Sequence, residues 1–179
     1  MIKKQSILLP VLLFASMLFG RNVIDLPPSF HADFTQRVTA EHHKQILYRG
    51  TIDFSSPDRF KWRYTSPGRK EVCTDGKKLE VVDHELEQVT RYKMGEGLNL
   101  QEILRHAQLH RKSVYIAKFE GKNYTIQLNS RQELSRIAYR DELEHNVLII
   151  FSKMHYGKRA LPESRMNCSF PESYDRLGW

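Results

Sequence analysis

The sequence predicts a mainly β fold with α: a strongly curved antiparallel sheet, or unclosed β-barrel, with one helix packed on its inner side. Three observations lead there. Residues 45–64 read Q-I-L-Y-R-G-T-I-D-F-S-S-P-D-R-F-K-W-R-Y, two runs of strict alternation separated by a turn composition, and only an extended strand sends successive side chains to opposite faces. Further short alternating runs follow, joined by tight turns, which antiparallel neighbours allow and parallel ones do not. The third observation is a shortage of cover. A helix of about 13 residues is roughly 20 Å long, whereas ten strands about 4.8 Å apart span more than twice that length.

The chain opens with Lys3 and Lys4 ahead of the apolar run Ile7 to Phe19. This is the charge-then-apolar order of a secretory signal, and it is too short for an ordinary spanning helix. Residues 1–20 are therefore expected to be a signal peptide and 21–179 a single domain. Losing Lys3 and Lys4 lowers the formal net charge from +7 to +5. The mature surface stays basic, which steers it towards anionic partners without choosing among them.

Pro27-Pro28 excludes a helix interior. Phe30, Ala32, Phe34, Gln36 and Val38 then alternate with polar residues as a first strand, or as a strand entered through a short helical turn. Thr39 to Lys44 is a polar loop. The strands that follow put Ile46, Tyr48, Gly50, Ile52, Phe54, Phe60, Trp62 and Tyr64 on one side, with Arg59, Lys61 and Arg63 on the other, a solvated outer face. Cations and rings on opposite faces cannot jointly grip a nucleic acid strand.

Pro67-Gly68 marks a turn, Arg69 to Thr74 a strand, and Asp75-Gly76 a two-residue hairpin turn. Lys78 to Val82 and Val89 to Tyr92 continue the meander. After Gly95 and Gly97 the period changes: Asn99 and Glu102 suit an N-cap and its N3 partner, and Leu100, Ile103, Leu104 and Ala107 trace one helical face. Val114 to Phe119 with Tyr124 to Leu128, then Leu134 to Tyr139 with Asn146 to Phe151, form two hairpins. Residues 152–166 read as irregular, and Asn167 to Phe170 as a last short strand.

Reactive chemistry has little support. His106 and His110 stand four apart on the expected helix, with no Cys, Asp or Glu at a spacing that completes a metal site. Glycine-rich phosphate loops and nucleophile triads are missing from the pattern, so no enzyme activity, cofactor or metal is expected. Cys73 and Cys168 could form a disulfide in an oxidising compartment or remain two separate buried thiols.

Several segments resemble the LolA family of periplasmic outer-membrane lipoprotein carriers. They are F-H-A-D-F-T-Q-R-V at 30–38, R-G-T-I-D-F-S-S-P-D-R-F-K-W-R-Y-T-S-P at 49–67, D-G-K-K-L at 75–79, E-Q-V at 87–89 and F-P-E-S-Y-D at 170–175. The resemblance implies an unclosed antiparallel barrel with a helical lid over a hydrophobic cavity. It implies a periplasmic chaperone that accepts acylated lipoproteins from an inner-membrane ABC release complex and hands them to an outer-membrane acceptor or to the outer membrane itself. Phe30, Phe34, Ile52, Phe54, Phe60, Trp62 and Tyr64 would then bind acyl chains, with Leu100, Ile103, Leu104 and Ala107 closing as the lid. The expected protein is a monomer with no nucleic acid partner. Two departures concern gating: Ser56 stands where the family often has an arginine, and Pro27-Pro28 leaves little room for the family's N-terminal helix. The alternative reading is a periplasmic sensor or adaptor that binds lipid or protein on the same fold.

Overall fold

The computed structural model describes residues 24–93 and 100–178. The expected signal peptide, and the Gly95, Gly97 and Asn99 features, lie outside the described residues. Strands β1 (Ser29–Thr39), β2 (Gln45–Ser55), β3 (Arg59–Ser66), β4 (Lys70–Thr74), β5 (Lys78–Asp83) and β6 (Gln88–Lys93) form one antiparallel meander. After α1 (Leu100–Arg105), strands β7 (Gln108–Arg111), β8 (Val114–Phe119), β9 (Lys122–Leu128), β10 (Leu134–Arg140) and β11 (Asn146–Gly157) form a second. Pairing of β1 with β11 joins the two into a single sheet, placing Phe34 opposite Phe151 and Val38 opposite Val147.

The sheet runs in the order β12-β6-β5-β4-β3-β2-β1-β11-β10-β9-β8-β7, where β12 (Asp175–Leu177) pairs parallel with β6. This corrects the expected architecture. The sheet is mixed and open, neither closed nor strongly curled, because the pairing that might have closed a barrel is spent at its centre and the terminal strands β7 and β12 do not meet. The helical lid is corrected with it. Helix α1 has six residues, Ala107 lies beyond its end, and His110 sits on β7 instead of one helical turn from His106. No described helix is long and apolar enough to cross a membrane.

A helix alone does not cover the sheet. Instead, the chain after β11 folds back over the opposite face. Strand β11 continues to Gly157 where an irregular segment was expected, and 167–170 forms no strand. Helix α2 (Glu163–Met166) then packs against β2 and β3 and buries Met166 on that face. The two faces therefore have separate covers.

Gly50 shows how tightly the aromatic face is made. A Cβ there would collide with the Arg63 carbonyl and crowd the Phe34 ring. The missing side chain lets Phe34 lie edge-on to both Trp62 and Tyr64, with centroids 4.9 and 5.0 Å away.

Candidate functional site

The apolar face begins with β1 and β2, whose alternation turns Phe30, Phe34, Ile52 and Phe54 to one side, and continues on β3 with Phe60 and Trp62. All six are buried and join Leu100, Ile103, Leu104 and Ala107 in one cluster. Tyr64 packs against that cluster while remaining partly exposed. Phe30, Phe54 and Phe60 make a second aromatic group, with Phe54 4.8 Å from Phe60 and 5.2 Å from Phe30. The second meander adds Tyr124, Ile126, Ile137, Val147, Ile149 and Phe151. Their own alternation put each set on one face, but only the β1–β11 register brings them beside the first, with the Trp62 ring 6.1 Å from Phe151.

Beyond the covered cluster the same face opens into a cavity of about 1120 Å³. Val38, Ile46, Tyr48, Tyr64 and Val72 line it, with Gln36 among them. Burial pushes the Tyr64 hydroxyl up to about 12, and neighbouring Tyr48 adds to the shift. Tyr64 therefore stays neutral and donates to Gln36 Oε1 at 3.0 Å. That bond satisfies both polar groups within an apolar lining. Charged residues form the rim: Lys44, Lys70, Glu85, Asp141 and His145. The Lys70 ammonium lies 2.7 Å from the Asp83 carboxylate, and His145 lies 3.1 Å from Asp141. Of the acyl-face residues read from sequence, only Tyr64 reaches the open cavity. Val38, Ile46, Tyr48 and Val72 were missed as site residues, although their alternation with polar neighbours already placed the first three on this face.

The opposite face is built from different materials. Asp53 is fully buried, with Arg63 donating to Oδ2 at 2.7 Å, His31 2.9 Å from Oδ1 and Arg165 3.3 Å from the same oxygen. The expectation that Lys61 is solvated is corrected: its ammonium lies 3.0 Å from Glu71 and donates to the Asn167 carbonyl at 2.7 Å. The last segment covers it, so alternation correctly gave its face and wrongly gave its exposure. Arg59 and Arg63 are likewise ion-paired, to Glu163 and Asp53. Ser55 exchanges hydrogen bonds with the Leu161 backbone, and a disulfide joins Cys73 to Cys168 across a sequence separation of 95. The two sulfurs beside the Glu71 carboxylate are thus used in the covalent bond. This face fixes the last segment to the sheet.

Comparison with known proteins places the chain in context. The family model of the outer membrane lipoprotein carrier protein LolA matches residues 28–138. The outer-membrane lipoprotein carrier protein of Campylobacter jejuni is 31% identical over 147 residues, covering 82% of this chain and 85% of that protein. That of Wolinella succinogenes is 28% identical, covering 69% and 72%. Among solved structures, a LolA superfamily protein from Nitrosomonas europaea aligns with a TM-score of 0.50 at 17% identity, covering 81% of this chain and 93% of that one. An uncharacterized conserved protein from Thermus thermophilus aligns at 0.53 with 12% identity, covering 84% and 90%. At such identities the structural likeness speaks for the fold alone.

Proposed function

From the premise that the chain belongs to the outer membrane lipoprotein carrier protein (LolA) family, we propose that it holds lipoprotein acyl chains against its apolar face. Carriage of lipoproteins through the periplasm to the outer membrane is the family's role, and it is non-catalytic. The observation supporting the acyl assignment is continuity: the aromatic cluster around Phe34 and Trp62 runs through Tyr64 into an open cavity of about 1120 Å³.

Each CH₂ moved from water to such a surface gains about 0.8 kcal/mol, so a few partly buried chains are held firmly without covalent chemistry. Release requires an acceptor that buries them at least as well. Chains would enter beside Val38, Tyr48 and Val72 and go deeper by displacing α1 from the buried cluster it joins. Helix α1 suits displacement because it is short and its buried side chains, Leu100, Ile103 and Leu104, make only non-directional contacts there. An inner-membrane ABC release complex as donor, an outer-membrane acceptor or the membrane itself as recipient, and a cleaved leader at 1–20 ahead of a single domain belong to the same reading.

The test is native mass spectrometry of the protein purified from the periplasm, followed by capture of acylated and unacylated forms of one lipoprotein. Wild type should retain only the acylated form. Trp62→Asp and Leu104→Asp should lower capture, and Val38→Asp, at the partly exposed wall of the cavity, should do so with its circular dichroism unchanged. Equal capture by a folded Val38→Asp and wild type would remove the cavity from the acyl path.

A further inference from the structure

On the face opposite the aromatic cluster, cations divide into two populations. In the half covered by the last segment, four of them have carboxylate partners within 4 Å: Arg59 with Glu163, Lys61 with Glu71, Arg63 with Asp53 and Arg91 with Glu80. In the other half, Arg37, Arg49 and Arg136 are exposed and make no ion pair among the described residues. The loop acids at the end of this region are engaged elsewhere, Glu142 with Lys122 and Glu144 with Arg140.

The register places the three arginines together. Arg49 lies opposite Thr35, Thr35 opposite Ile150, and Ile150 opposite Arg136, so one cross-strand row carries a guanidinium at each end. Three strand spacings separate those ends, about 14 Å. Arg37 stands on β1 between them, one same-face position along, opposite Leu148. Partly buried Leu148 and Ile150 occupy the intervals between the charges.

We propose that this arginine band docks the protein on an anionic phospholipid surface. The occupant follows from charge complementarity. Three unneutralised guanidiniums on long side chains match a continuous field of phosphates without needing a fixed register of acceptors. The intervening aliphatic side chains can settle among headgroups as the cations reach outward. Docking this way leaves the aromatic face and its cavity on the opposite side of the sheet, free of the contact. The attraction is surface electrostatics and therefore weakens as salt shortens the screening length.

Sedimentation of cargo-free protein with vesicles tests this without relying on the carrier reading. One vesicle type contains phosphatidylcholine alone and the other contains an equal share of phosphatidylglycerol. Wild type should bind the anionic vesicles preferentially and lose binding with added salt. The triple variant R37Q/R49Q/R136Q should lose at least about tenfold in apparent affinity. The control R69Q/K77Q/K93Q, which removes the same charge from exposed positions in the other half, should remain within about threefold. Circular dichroism must match across all three proteins. No preference of wild type for anionic vesicles, or an equal loss in the control, overturns the proposal and leaves an acidic protein as the candidate occupant.

Discussion

One sheet presents two faces, each covered over part of its extent, and the two covers are held by different forces. The aromatic face is closed by α1 and by its own rings, contacts that depend little on direction. The polar face is closed by a buried carboxylate, a buried ammonium, hydrogen bonds to the last segment and a disulfide. Non-directional contacts can be exchanged for an acyl chain at small net change, whereas directional ones leave unsatisfied groups when broken. On the proposed acyl-binding reading, the difference would give motion to one face and constancy to the other. A carrier needs both, since a surface that yields to cargo must be backed by a frame that does not.

The sharpest way to break this contrast is to remove a ring. Phe54 is 2% exposed between Phe30 and Phe60, and Phe54→Ala should cost about 3–5 kcal/mol in urea unfolding. A cost below about 1 kcal/mol would mean that this part of the face is spare space instead of core. Next comes the disulfide. Replacing Cys73 and Cys168 with serine releases a closure of 95 residues and should cost about 4.7 kcal/mol by the chain-entropy estimate. Acylated-cargo capture should persist if the folded fraction is restored at lower temperature. Loss of capture by the folded variant would tie the frame directly to the cargo face.

Asp53→Asn is the electrostatic counterpart. It leaves Arg63, His31 and Arg165 facing a neutral amide, and because the side chains of all three partners are at least about one-third exposed, the loss should be moderate, about 2–3 kcal/mol. Proteolysis of the segment after Gly157 should accelerate as Arg165 loses its anchor. Unchanged protection would show that the disulfide, the Ser55 bonds and the Lys61–Asn167 bond hold the segment without Asp53.

Much of the face assignment was legible because strand alternation is local. Phe30 to Val38, Ile46 to Phe54 and Phe60 to Tyr64 each state which side chains travel together. What joins them is not local. Nothing near Phe34 announces Phe151, since that register is set by a pairing between strands more than a hundred residues apart. The same limit produced the expected barrel, for strand count cannot reveal which pairing lies at the centre. Lys61 was misread for a related reason: alternation specifies a face, and a distant segment decides whether that face meets water. Strand β12 carries no pattern at all, as Asp175, Arg176 and Leu177 are exposed and held through backbone pairing with β6. At α1, Leu100, Ile103, Leu104 and Ala107 satisfy helical spacing, but the chain turns after Arg105 to pair 108–111 with β8.

The smallest expected effect lies at the rim, where the yielding face carries its own ion pair. Burial alone would raise the Asp83 carboxyl, but hydrogen bonds from Lys70 and from the Leu86 and Glu85 backbone N–H groups outweigh it and hold the carboxyl below the usual aspartate range. A depressed folded value means that the stabilisation is fully present above the unfolded value, near 3.8, and disappears as pH falls through the lower folded one. Lys70 is half exposed, so its share should be under about 1 kcal/mol. Urea midpoints of wild type and Lys70→Met should therefore differ slightly and constantly near neutral pH, then converge in acid. A gap that widens on acidification would reverse the sign and show that Lys70 is held by something other than the Asp83 carboxylate. A gap of several kcal/mol at neutral pH would make the rim part of the rigid frame and erase the distinction between the two faces at that edge.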